Sequence, residues 1–252
     1  MHDEPARDEQ LHPPAAYSRP FERFFDVIDT EPKAYWLGFI LADGCVLWSE
    51  KTSNYGLSIA LQAADIDHLR LLENDLGGSR LPQIDLRTQS AKLVWYSKYM
   101  ASRLIDLGIR PRKSGIEDLP LPRFPESLAR HFWRGYFDGD GSLTIQVLGP
   151  NLGLNFRVSL AGSRTILNKF QCWAEEEIGV RRQKIVTARN SHGNSKTCVF
   201  YLGGNRQVAA LTTELYQNSS RMLKRKYEVH LALLEQNART QPSYSRVYAP
   251  KE

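Results

Sequence analysis

Two stretches of this chain, Trp36-Leu-Gly-Phe-Ile-Leu-Ala-Asp-Gly44 and Trp133-Arg-Gly-Tyr-Phe-Asp-Gly-Asp-Gly141, say nearly the same thing. Each opens on tryptophan, carries a glycine two residues on, and closes on an aspartate followed by glycine. A pattern repeated once over a long interval predicts two similar halves, and the duplicated carboxylate, Asp43 and Asp140, predicts a site where they meet.

The segments around these motifs repeat in the same order. The apolar helical run from Tyr35 to Leu41 stops at Gly44, where glycine is expected to supply a left-handed turn. Two strand-like runs follow. The second, Asn54 to Gln62, alternates Tyr55, Leu57, Ile59 and Leu61 on a core face with Gly56, Ser58, Ala60 and Gln62 on an open one. Ile66 to Leu76 has helical spacing and ends at Gly77-Gly78; strands over Leu81 to Arg87 and Lys92 to Ser97 and a helix through Leu107 complete the pass.

The second pass reads as a helix to Asp138, strands Ser142 to Val147 and Leu154 to Ala161, and a helix Thr165 to Ile178. Strands near Lys184 to Arg189 and Thr197 to Leu202 follow, then a helix from about Gln207. Each half is therefore α-β-β-α-β-β-α, and the fold class is α+β, with antiparallel sheets and a paired-helix interface. The expected divisions are a flexible arm over 1–22, a first half over 23–110, a proline-bearing linker over 111–125, a second half over 126–236 and a flexible tail over 237–252.

On a helix, Gly38 and Ala42 share a face, as do Gly135 and Gly139, and small residues at that spacing let two backbones approach closely. Packed side by side, the two helices would release Asp43 and Asp140 together at their C-terminal ends. A carboxylate there meets the negative end of the helix dipole and needs a compensating positive charge. With neighbouring backbone carbonyls, those of Ala42 and Gly139, the pair would suit a hard divalent cation such as Mg2+.

Bulk properties narrow the classes. The chain has 252 residues, 42% of them hydrophobic, enough for a core without staples. A formal charge of +5 and a pI near 9.1 fit an anionic partner. Cys45, Cys172 and Cys198 lie in apolar runs without CxxC spacing, so buried thiols are expected. His2, His12, His68, His131, His192 and His230 make no zinc-ligand pattern. With no membrane-length apolar run and no signal-peptide order at the N-terminus, an intracellular setting, in cytoplasm, nucleoid or an organelle matrix, is expected over secretion.

The two motifs resemble those of the single-chain LAGLIDADG homing endonucleases, and the order of elements is similar to that family's fold over residues 24–236. The resemblance implies a site-specific, double-strand DNA endonuclease, acting as a monomer on a long asymmetric target and leaving staggered 3′ overhangs. It implies metal binding by Asp43 and Asp140, with Mg2+ or Mn2+ supporting cleavage and Ca2+ binding without supporting it. Lys113 and Lys226 match the family's site lysines, Gln62 matches a polar site residue, and Ala161 is taken as its second-half counterpart. Asp138, standing where the first motif has Leu41, is expected to be structural.

On the saddle of sheets that the resemblance implies, base-edge contacts are expected from Ser58, Gln83, Asp85 and Arg87 and from Ser142, Thr144, Gln146, Asn155, Arg157 and Ser159. Arg181, Arg182 and Lys184 are expected on phosphates, with Arg189 and His192 also near DNA. Rival readings keep the fold without cleavage: a DNA-binding regulator, or a maturase that binds intron RNA. A protein-splicing insert is disfavoured, because splice-junction residues are missing at Met1 and Glu252.

Overall fold

The structure, a computed structural model, describes residues 19–113, 119–148, 153–188 and 197–240. The first half runs α1 (Glu31–Asp43), β1 (Gly44–Ser49), β2 (Asn54–Gln62), α2 (Ile66–Asp75), β3 (Gln83–Asp85), β4 (Ser90–Tyr96) and α3 (Lys98–Leu107). The second repeats it as α4 (Ala129–Asp140), β5 (Gly141–Val147), β6 (Leu154–Gly162), α5 (Arg164–Ile178), β7 (Val186–Thr187), β8 (Cys198–Gly203) and α6 (Asn205–Tyr216), and adds α7 (Lys224–Thr240). Two antiparallel sheets result, ordered β1-β2-β4-β3 and β5-β6-β8-β7, so the α+β class and the duplicated order hold.

Each sheet buries one face. Leu57 and Ile59 of β2 pack beneath α2 and α3 with Leu93 and Trp95 of β4, and Phe156, Val158 and Leu160 of β6 do the same in the second half with Phe200 and Leu202. Period-2 alternation set these faces, as the sequence predicts.

The two motif helices, α1 and α4, lie against each other at the seam between the halves. From Ala34 to Ala42 every residue of α1 is buried, which accounts for its apolar composition all the way round. A Cβ built on Gly38 would lie 2.0 Å from the Phe132 carbonyl oxygen, and one on Gly135 would lie 1.9 Å from that of Tyr35. Backbone therefore rests on backbone.

The polar ties across this seam are not symmetric. Arg134 of α4 is fully buried and donates to Glu31 at the start of α1 (2.7 Å) and to the carbonyls of Leu215 and Arg221. Glu31 also accepts from the backbone N–H groups of Ser220 and Arg221, and Arg221 forms a two-pronged ion pair with Asp75 of α2.

Several expectations need correction. Gly44 has φ of −74° and so does not make the left-handed turn expected after its helix; Gly141, at −86°, is extended in the same way. Space demands glycine instead: a Cβ would lie 2.7 Å from Cγ2 of Ile40 at the first position and 2.3 Å from Cδ2 of Phe137 at the second. The outer strands are shorter than expected: Leu86 to Gln89 form a turn, and among the described residues Val186 and Thr187 are the ones that pair with β8.

Helix α7 lies beyond the expected seven elements of the second half and carries the fold through the expected tail boundary to Thr240. At the other end, the helical turn Pro20–Arg23 buries Phe21, so the last residues of the expected arm belong to the core. Cys198 is buried and Cys172 half-buried, but Cys45 is exposed, because as the second residue of β1 it falls on the open face opposite Ser58. Among the described residues no helix is long and apolar enough to cross a membrane.

Candidate functional site

Asp43 is the last residue of α1 and Asp140 the last of α4, so the packing of the glycine faces carries both carboxylates to one place. A Cβ built on Gly139 would lie 2.3 Å from that of Ala42 and 3.5 Å from Asp43 Cγ. The small residues before the aspartates thus close the seam directly beneath them.

Asp43 opens to solvent and Asp140 is half-buried. Burial pushes the Asp140 carboxyl up to about 6, and the charge of Asp43 adds to the rise; Lys113, Lys226 and the Tyr136 hydroxyl pull the other way. Asp43 is raised in the same sense, chiefly by desolvation in its recess despite its open upper surface. Two carboxylates disfavouring each other's charge form a place where a cation is preferred.

Helix dipoles make matters worse for the aspartates, and the two expected lysines answer that problem. Lys113 Nζ donates to the carbonyls of Ile40 (2.7 Å), Leu41 and Ala42 (2.6 Å), the last turn of α1. Lys226 Nζ does the same for α4, donating to the carbonyls of Phe137 (2.7 Å), Asp138 (2.7 Å) and, more weakly, Gly139 (3.5 Å). Each ammonium satisfies orphan carbonyls and places a positive charge where the dipole is negative.

Their pKa values fall to about 8, since burial disfavours the ammonium while the aspartates retain it. The carbonyls of Ala42 and Gly139, expected to face a metal ion, accept from these lysines. Among the described residues no group of three or more His, Cys, Asp or Glu is placed to hold a metal.

Asp138 is fully buried and accepts from the hydroxyls of Tyr35 (2.8 Å) and Tyr216 (2.7 Å) and from the backbone N–H of Leu223 (2.7 Å). Tyr35 also meets His68 Nε2 at 2.9 Å, and burial lowers the His68 pKa to about 3, keeping the ring neutral. With its hydroxyl proton on Asp138, Tyr35 must accept from His68. The extra acid of the second motif therefore ties α1, α4, α6 and the approach to α7 together, the structural role expected of it.

A cleft of about 320 Å3 opens beside Asp43, lined also by Gln62, Asp65, Ser90 and Arg225. Gln62 is thus where the sequence puts it, whereas its counterpart is not Ala161. Gly44 pairs with Ile59 and Gly141 with Leu160, so Ala161 corresponds to Ala60 and Gln62 corresponds to Ser163. Ser163 caps α5, accepting from the Ile166 backbone N–H. A larger cavity, about 890 Å3, lies behind the second half among Phe124, Trp133, Trp173 and Glu214 and touches none of the expected site residues.

The open sheet faces carry most of the expected contact residues. Thr144, Gln146 and Arg157 are exposed and Ser142, Asn155 and Ser159 half-buried, and the register sets Ser142 opposite Ser159, Thr144 opposite Arg157 and Gln146 opposite Asn155. In the first half Gln83, Asp85 and Arg87 are exposed, but Asp85 spends an oxygen on the backbone N–H groups of Arg87 and Thr88, fixing its own turn. Ser58 is buried: its short side chain lies between Cys45 and Val94 on the flanking strands, below reach of a ligand on the face.

Arg181, Arg182 and Lys184 are exposed, and Arg182 makes a two-pronged ion pair to Glu175 (2.6 Å). Arg189 and His192 lie outside the described residues. Sequence reasoning missed Lys92, Tyr96 and Tyr201, whose alternation on β4 and β8 puts them on the open faces, and Asp65 and Arg225, which only the assembled cleft brings together.

No protein-family model matches the sequence, and no curated protein matches it either. Solved structures do. The chain is similar in fold to the I-LtrWI LAGLIDADG homing endonuclease bound to target DNA, with a TM-score of 0.53 at 9% identity over 86% of this chain and 92% of that one. The LAGLIDADG meganuclease I-AabMI bound to uncleaved DNA gives 0.54 at 11% identity, covering 84% and 91%. I-SmaMI bound to an uncleaved DNA target in the presence of calcium ions gives 0.53 at 12% identity, covering 82% and 93%. The chain has the LAGLIDADG homing-endonuclease fold, and at these identities the likeness is one of fold.

Proposed function

We propose that this chain is a metal-dependent, site-specific DNA endonuclease that hydrolyses one phosphodiester in each strand of a long asymmetric duplex, leaving staggered 3′ overhangs, and that it acts as a monomer. The observation that carries the reading is the seating of Asp43 and Asp140 side by side at two lysine-capped helix ends, between two sheets whose open faces are polar. The fold shared with DNA-bound LAGLIDADG endonucleases supports it.

Mg2+ or Mn2+ between Asp43 and Asp140 would supply charge stabilisation and an activated water, and Ca2+ would bind there without supporting cleavage. The protein's own groups do the rest. Lys113 and Lys226 hold the two carbonyl ends and keep the aspartates ionised against each other and against the dipoles. Gln62 in the Asp43 cleft offers an amide donor and acceptor that orient a water or a phosphate oxygen. Thr144, Gln146, Asn155 and Arg157 read base edges on one side of the site, Gln83 and Arg87 on the other. Their differing identities call for an asymmetric site.

The test incubates the protein with a randomised duplex library and Mg2+, then sequences the cut ends, alongside Asp43→Asn and Asp140→Asn. Cutting at one asymmetric sequence that both substitutions abolish is the expected outcome. Cleavage that survives both removes the mechanism, and tight binding without cutting makes the protein a non-cleaving regulator.

A further inference from the structure

The ion pair between Asp65 and Arg225 belongs to no duplicated pattern and stands in the candidate site. Arg225 opens α7 in the second half, yet its Nε donates at 3.0 Å to Asp65 Oδ2 of the first half, and both residues line the cleft that holds Asp43 and Gln62. The pair is one-sided: the Asp65 side chain is 9% exposed and the Arg225 side chain 53%. Asp65 is built into the wall, while the guanidinium, with one of its five N–H groups engaged, keeps most of its donors toward open space.

Among the described residues nothing equivalent stands in the other half. The strand register that matches Gln62 to Ser163 matches Asp65 to Ile166, a buried apolar residue of α5. Arg112 precedes Lys113 as Arg225 precedes Lys226, but no carboxylate waits at Ile166 to receive it.

We propose that Arg225 is the phosphate-contacting residue of the Asp43 cleft, delivered across the seam from the second half and aimed by Asp65, so that the two DNA strands are cut by unequal sites. The proposal rests on the endonuclease reading. In the step it serves, water adds to phosphorus as the P–O3′ bond breaks, giving a 5′-phosphate and a 3′-hydroxyl that takes one of the water's protons. Arg225 transfers no proton; its fork pairs with the non-bridging oxygens and offsets the charge that builds on them. Asp65 is a positioning residue, since it reaches the phosphate only through Arg225.

The experiment uses the duplex recovered from the library selection, end-labelled on each strand in turn, with wild type, Arg225→Gln, Arg225→Lys and Asp65→Asn. Arg225→Gln should slow cleavage of one strand by about 100-fold and leave the other within about threefold, so that nicked product accumulates; the strand still cut reports that the variant is folded. Arg225→Lys should restore some of the rate, and Asp65→Asn should cost less than Arg225→Gln, because the cation stays.

A methylphosphonate placed at that strand's scissile position should weaken wild-type binding in Ca2+ but not binding by Arg225→Gln, a readout independent of cutting. Equal slowing of both strands, no slowing, or equal loss in Asp65→Asn and Arg225→Gln overturns the proposal. A wild-type protein that binds its selected duplex but never cuts it overturns the endonuclease reading alone; methylphosphonates placed in turn along each strand of that duplex, compared in Ca2+ between wild type and Arg225→Gln, then show whether any one phosphate depends on Arg225, and none doing so overturns the proposal.

Discussion

Gly38 rests on the backbone of Phe132 so closely that no side-chain atom fits between them; a Cβ would stand 2.0 Å from the carbonyl oxygen. Its counterpart, Gly135 on Tyr35, is equally tight. Gly38→Ala or Gly135→Ala must therefore push α1 and α4 apart, because the atoms in the way belong to backbone and cannot rotate aside. Each should cost about 3 kcal/mol, read as a fall in thermal midpoint with loss of near-ultraviolet dichroism. An alanine variant that melts with wild type would show that the seam is looser than described.

Asp140 carries a pH signature. Its folded pKa, near 6, lies above the unfolded value of 3.8, so between these limits the folded state binds more protons than the unfolded one. Without divalent ion, stability should therefore fall as pH rises from about 4 to 6. Asp140→Asn should be more stable than wild type at pH 7.5, by about 1–3 kcal/mol, with the gap closing below pH 5. Added Mg2+ should stabilise wild type at pH 7.5 and not at pH 4.5, where the proton occupies its place. Denaturant titrations across this range check both statements; a gap that widens toward acid would refute the assignment.

Asp138 is a buried carboxylate with three donors aimed at it. In Asp138→Asn the amide presents an N–H2 to at least one of those donors, leaving a buried group unsatisfied and two donors opposed. Destabilisation of about 2–4 kcal/mol is expected. Tyr35→Phe together with Asp138→Asn should cost less than the sum of the two single changes, because the pair shares one hydrogen bond. Additivity in a double-mutant cycle would deny the coupling.

Arg157 stands on the open face of β6 opposite Thr144. Arg157→Ala should leave the melting midpoint unchanged and relax sequence preference over one or two base pairs of the selected site, costing about 1–3 kcal/mol of discrimination. A uniform loss across all sequences, with a shallower salt dependence, would move Arg157 to the phosphate backbone instead. Arg182→Ala should weaken binding little, since Glu175 already occupies its guanidinium.

The duplicated motif made α1, α4 and the two aspartates legible, because tryptophan, glycine and the closing Asp-Gly recur at the same spacing in both segments. Alternation made β2 and β6 legible for the same local reason. The lysines could be named by pattern but not understood: their partners are backbone carbonyls more than seventy positions away, and no side-chain pattern records a carbonyl.

The misplacement of Ala161 has a plain cause. Setting the last inward residues of the two alternating runs against each other, Leu61 with Leu160, pairs Gln62 with Ala161, whereas the register sets Ile59 with Leu160; the slip of two positions preserves alternation and hides the error. Asp65 and Arg225 were beyond sequence altogether, since they come from opposite halves.

The unequal polar ties of the seam have a consequence for anyone wishing to take the chain apart. Arg134 answers Leu37, Asp138 answers Leu41, and Tyr35 answers Phe132 in the two motifs. Doubling the second half would bury two copies of Arg134 without either copy of Glu31, its carboxylate partner, and doubling the first would leave the Tyr35 hydroxyl without Asp138, Glu31 without Arg134 and the Asp43 cleft without Arg225. Each half holds the residues that make the other usable. A hybrid chain built by exchanging halves would therefore have to carry Glu31, Tyr35 and Asp65 along as a matched set, like the teeth of a key cut for one lock.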